Sequence, residues 1–157
     1  MHTARSRILS LPALATLALA LLGGLVSPAN AQDGVRIARA CVMQIQEAVE
    51  DATDRQHQVT RRTVEAIRAG VEEGAPDRVL RAIAEHGLDR VRAIGVRADG
   101  AIETLAGECV RRLRELGADR SLINAVRVGA ARADEQLEDS TQRSSRVIRS
   151  ALMRALD

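Results

Sequence analysis

Two short turns divide this chain into three helical stretches of nearly equal length, and that division limits the fold more than any other feature. The first turn is Gly74-Ala75-Pro76-Asp77 and the second is Gly117-Ala118-Asp119. Glycine suits the left-handed residue that closes a helix, and proline suits the start of the next one. Asp77 lies where a negative charge complements a helix dipole, and Asp119 is a candidate N-cap. Connections this short make consecutive helices antiparallel neighbours. The expected fold is all-α: an elongated up-down-up three-helix bundle with helices over about residues 35–73, 77–116 and 120–156. At 1.5 Å per residue each helix would run roughly 55–60 Å.

Apolar periodicity supports the three helices. Ala38, Val42, Ile45, Val49 and Ala52 step by four and three, which is the spacing of one helix face. Asp33 is the expected N-cap, behind a polar lead from Gln32 to Gly34. The second stripe is Leu80, Ile83, Gly87, Val91, Ile94, Ala98, Leu105, Cys109 and Leu116, with Ile102 and Leu113 beside it. Interior glycines cost a helix about 1 kcal/mol each against alanine, so Asp99-Gly100 is the expected place for a break in helix 2. Close packing against a neighbouring helix is the competing explanation for these glycines. The third stripe is Ile123, Val126, Ala130, Ala133, Leu137, Ser140, Ser144, Ile148, Ala151 and Ala155.

With the turns centred at Ala75 and Ala118, residue i of helix 1 is level with residue 150 − i of helix 2 and residue 86 + i of helix 3. Cys41 and Cys109 each lie 34 residues from Ala75, so this register sets the only two cysteines side by side. Facing residues on adjacent helices bring their Cα atoms to roughly 4–6 Å, within disulfide range. A Cys41–Cys109 bond would clamp the end of the hairpin farthest from Gly74, stabilising the fold by about 4 kcal/mol in the loop-entropy picture. An intermolecular bond and two buried free thiols are the alternatives, and neither explains the equal spacing.

The same register aligns two weak zones in the apolar stripes, residues 51–62 and 137–148. Gln56, His57, Thr60, Thr63, Ser140, Thr141 and Ser144 then form one polar waist. A hydrogen-bonded layer that fixes helix register is its plainest role, since buried polar residues do this in coiled coils. The functional alternative is a small polar site, or a point where helices 1 and 3 separate to admit a partner. A second aligned group is acidic: Glu47, Glu50, Asp51 and Asp54 are level with Asp134, Glu135, Glu138 and Asp139, and Asp99, Glu103 and Arg97 share that height. A belt of divalent cations is one reading. A solvated charged face is the simpler one, because no loop-type ligand spacing is present.

The first 31 residues read as an export signal. Arg5 and Arg7 are basic, residues 8–26 are apolar, and Ala29-Asn30-Ala31 is a small-x-small cleavage motif. The expected cut follows Ala31, leaving residues 32–157 as a single domain in the periplasm or outside the cell. A signal retained as an anchor is the alternative; the run is barely long enough and carries Ser10, Pro12 and Gly23-Gly24. Export favours a disulfide over a metal or redox reading of the cysteines.

Composition excludes several functions. The chain has no Phe, Tyr or Trp, so it offers no aromatic platform for bases or sugars and no aromatic cage for a quaternary ammonium. The sequence pI near 9.0 suggests nucleic acid. Two of its 23 basic residues lie in the signal, however, and the remaining 21 Arg balance 21 Asp and Glu. No nucleic-acid partner is expected. His57 and His86 would differ in height by about 10 Å, too far to share an ion. No catalytic, metal or cofactor-binding residues emerge. Residues 143–156 are basic and amphipathic, with Arg143, Arg146 and Arg149 opposite Val147, Ile148, Leu152 and Leu156. Such a helix suits an anionic membrane surface or a partner groove, or it packs in the bundle with its arginines in water. The expected function is non-enzymatic: association with a protein partner or with itself in an envelope or scaffold role. Binding to a lipid or membrane surface is the alternative.

Overall fold

The computed structural model describes residues 28–157, with side chains from Ala31 onward. It contains three helices: α1 (Pro28–Glu72), α2 (Asp77–Glu115) and α3 (Arg120–Leu156). Each helix packs along both others, so the architecture is an up-down-up bundle. Most of the expected signal, including Arg5, Arg7 and the apolar run of residues 8–26, lies outside the described residues. The motif Ala29-Asn30-Ala31 falls in the first turn of α1.

The two turns close in the same way. Gly74 has φ +69° and Gly117 has φ +65°, a region open to glycine at little cost. The amide of Ala75 donates to the Gly70 carbonyl at 2.8 Å, and Gly74 donates to Val71 at 3.0 Å. Ala118 donates to Leu113 at 2.9 Å and Gly117 to Arg114 at 3.0 Å. Both are Schellman closures, in which the two residues after the helix satisfy its last free carbonyls. Asp119 caps α3, its carboxylate accepting from the Ser121 amide at 2.8 Å. Pro76 is itself the N-cap of α2 rather than its first helical residue, and no side chain caps that end.

The structure corrects the sequence expectations in three places. First, α1 is already helical at Pro28, the first described residue, rather than starting near residue 35, and Asp33 is not its cap. Asp33 lies within the helix and pairs with Arg36 at 3.1 Å. Gly34 is buried, because a Cβ there would lie only 3.2 Å from Leu122 and 3.3 Å from Ala118. The helix therefore continues past the end of α2 and packs against the second turn. Second, α2 runs unbroken through Asp99-Gly100. Gly100 faces open solvent, and Ile102, buried beside it, anchors the same turn in the core. Tertiary burial outweighs one glycine's propensity cost.

Third, the core stripes are shifted. On α1 the buried residue is Cys41 and Val42 is exposed. On α2 Ala84, Ile102 and Leu113 are innermost, whereas Ile83, Leu105 and Leu116 are only partly buried. On α3 Leu122 replaces Ile123. The interhelical register nevertheless holds closely. A Cβ at Gly70 would sit 2.8 Å from Leu80, and one at Gly87 would overlap the Thr63 side chain. Both pairs sum to 150.

Cys41 and Cys109 are joined by a disulfide, with their Cα atoms 6.1 Å apart. The buried apolar residues separate into two clusters. One surrounds the disulfide and includes Ile45, Val49, Ile102, Leu113, Val126 and Leu137. The other lies toward the first turn and comprises Val59, Ile67, Ala84, Val91, Ile148 and Ala151.

Candidate functional site

Between the two clusters lies the polar waist. Gln56 is completely buried, and its side-chain amide donates to Thr141 Oγ1 at 2.7 Å and to the Val91 carbonyl at 3.4 Å. One side chain on α1 thus ties to both other helices. Gly95 makes room for this pair: a Cβ there would lie 3.1 Å from Thr141 Oγ1 and 3.5 Å from Gln56 Nε2. Thr60 and Thr63 are buried, and their hydroxyls bond back to the Gln56 and Val59 carbonyls at 2.8 and 2.9 Å. Thr141 does the same to Leu137 at 2.9 Å. Ser140 and Ser144 are buried on α3. Their hydroxyls and Gln56 Oε1 find no hydrogen-bond partner among the described residues. His57 is exposed and does not belong to the waist; it lies on the outer face of α1 near Asp54 and Arg61. The step from 56 to 57 rotates a helical residue by about 100°, out of the core.

The carboxylates of the acidic level are exposed; Glu47, Glu50, Asp51 and Asp54 stay on α1, and only carboxylates of α2 and α3 line a common groove, together with Arg92. Asp99, Asp134, Glu135 and Glu138 rim a groove of about 360 Å³ between α2 and α3, floored by Leu137 and Gly95. Val96 stands at its edge, 68% exposed. Partial burial raises the Asp134 pKa, and the charges of Asp99 and Glu103 push it the same way. Among the described residues no three His, Cys, Asp or Glu side chains converge on a metal-sized site.

A third feature does not emerge from any single stretch of sequence. Val59, Ala66, Val79, Ala82 and Ile83 floor a groove of about 630 Å³ between α1 and α2. Arg62, Arg78, Arg90 and His86 form its rim. None of the three guanidiniums pairs with a carboxylate among the described residues. Arg78, Ala82, His86 and Arg90 step by four along α2, and Arg62 is level with residue 88. That spacing, combined with the register, was the available signal.

The basic C-terminal stretch packs inward. Ile148 and Ala151 are buried and Leu152, Ala155 and Leu156 are partly buried, while Arg143, Arg146 and Arg149 face water. No helix among the described residues is long and apolar enough to cross a membrane. No protein-family model, curated protein or solved structure matches this chain.

Proposed function

We propose that this protein is an exported, non-enzymatic helical rod that works by helix-mediated association in an envelope or scaffold role. In this reading the signal is cut after Ala31 and the rod acts in the periplasm or outside the cell. The observation that carries the proposal is the α1–α2 groove, an apolar trough rimmed by arginines that pair with no carboxylate among the described residues. A helix lays its apolar side into such a trough, and charges at the rim select the partner and speed encounter. The waist supports a structural role rather than a chemical one. Its threonine hydroxyls are spent on their own helix, and Gln56 is locked between three helices.

Membrane-surface binding is the second reading. It is favoured by Val147 and Met153, which are 49% and 60% exposed beside Arg143, Arg146, Arg149 and Arg154 on α3. A photo-crosslinking residue in place of Val79, on the groove floor, separates the two in the native envelope. Association predicts a protein adduct of discrete mass. Absence of any protein adduct, together with flotation on anionic vesicles, would replace the first reading with the second.

A further inference from the structure

We infer that the arginine-rimmed groove between α1 and α2 receives a second copy of this chain, presented through its acidic α2–α3 face. The inference rests on the association reading above and names its partner. The two surfaces match in kind. One offers an apolar floor with Arg62, Arg78 and Arg90 at its rim. The other offers Asp99, Asp134, Glu135 and Glu138 around Val96, the most exposed of the large aliphatic side chains on the described surface, with one basic residue, Arg92, which is paired to Asp89. Val96 is the apolar knob offered to the trough, and the carboxylates are opposite in charge to the guanidiniums of its rim. Each surface carries exposed charge that the other can neutralise. Partial burial, and then the charges of Asp99 and Glu103, raise the Asp134 pKa, and the three arginines have no carboxylate partner among the described residues. Arginine pairs well here because its fork meets a carboxylate with two parallel bonds.

The two surfaces lie on different faces of the rod and share only α2, so the contact is heterologous. Each copy has one giving and one receiving face, and association continues into a ring or an open chain rather than stopping at a symmetric pair. Along the rod the surfaces are offset by about 13 residues of α2, which staggers successive copies by roughly 20 Å.

Sedimentation velocity of the purified protein tests this. At low ionic strength the protein should associate, and at about 1 M salt, where the Debye length falls to about 3 Å, it should dissociate. Arg78→Glu with Arg90→Glu, and separately Asp134→Arg with Glu138→Arg, should each weaken association by about tenfold or more. All four positions are exposed, and circular dichroism will show whether the helices persist. Mixing the two double variants should restore association, because each supplies what the other lacks. A monomer at low salt, or association that survives both charge reversals, overturns the inference. A monomer that still gives a Val79 crosslink to a different protein removes self-association and leaves the association reading standing. A monomer that only floats on anionic vesicles, and loses flotation in the Arg78→Glu, Arg90→Glu variant, removes both in favour of a lipid headgroup.

Discussion

The two halves of the rod are held together differently. The half near the second turn contains the larger apolar cluster, with Ile45, Ile102, Leu113 and Val126 all but sealed from water, and it carries the disulfide. The half near the first turn has a smaller cluster and adds closer approach between helices. Thr63 sits against Gly87 and Leu80 against Gly70, where side chains occupy the space a Cβ would fill. Gln56 and its partners divide the two. An aromatic-free core reaches tight packing either by clustering branched aliphatics or by removing side chains on one helix. This protein uses both, with the tightest glycine contacts near the first turn and a looser one at Gly34 near the second.

The largest test of this contrast is reduction of Cys41–Cys109. The bond closes a loop of 68 residues, and its loss should cost about 4 kcal/mol. Thermal unfolding with and without reductant gives the total. Amide exchange should show the loss of protection concentrated in α1 before Ile45 and in α2 after Ile102. Uniform loss along the rod would mean that the two halves unfold as one.

Glycine substitutions should differ in sign. Gly87→Ala puts a methyl into the buried Thr63 side chain and should destabilise by about 1–3 kcal/mol. Thr63→Ala in the same background should recover much of that loss. Gly100→Ala meets nothing within 4 Å and should stabilise by about 1 kcal/mol through helix propensity. Denaturant unfolding measures both. Equal effects would show that propensity, not close approach, governs the glycines of α2.

Gln56→Leu should change stability by less than about 1 kcal/mol. It removes a buried carbonyl oxygen that has no partner, and Thr141 keeps its bond to Leu137. A large loss would give the waist a greater role in stability than in register.

Acid should act on the two carboxylates in opposite directions. The Ser121 amide and hydroxyl hold the Asp119 carboxyl below its ordinary range. Its contribution is present above its unfolded pKa and is lost as pH falls through the folded one. Burial and the neighbouring Asp99 and Glu103 raise Asp134. Its contribution is present below its unfolded pKa and is lost as pH rises through the folded one. Asp119→Asn should therefore flatten the acid loss of stability, and Asp134→Asn should reduce whatever offsets it. Stability measured across the acid range checks both slopes.

The architecture was legible because two glycine turns fix the origin of the register, and a register needs only counting. Gly87 opposite Thr63 and Cys41 opposite Cys109 follow from it directly. The exact face of each helix was less legible. Where alanine, glycine or cysteine occupies a core position, the apolar signal leans toward the nearest large residue. Val42 was therefore favoured over Cys41, and Ile83 over Ala84. The start of α1 was missed because Gly34 reads as a breaker in sequence, whereas in the fold it makes space for Leu122. The arginine groove escaped for another reason. Its rim is shared between Arg62 on one helix and Arg78 and Arg90 on another, and none of the three stands out on its own helix.

The disulfide also has a mechanical consequence. It turns the stretch from Cys41 to Cys109, with the first turn at its middle, into a covalent ring that cannot be drawn out, while α3 remains an open arm held by packing and the Gln56–Thr141 hydrogen bond. Under tension between its ends the rod would yield by peeling α3 and the start of α1, and then stop at a fixed length. The arm that peels carries Ser140 and Ser144, so its inner face meets water with less loss than a fully aliphatic one would.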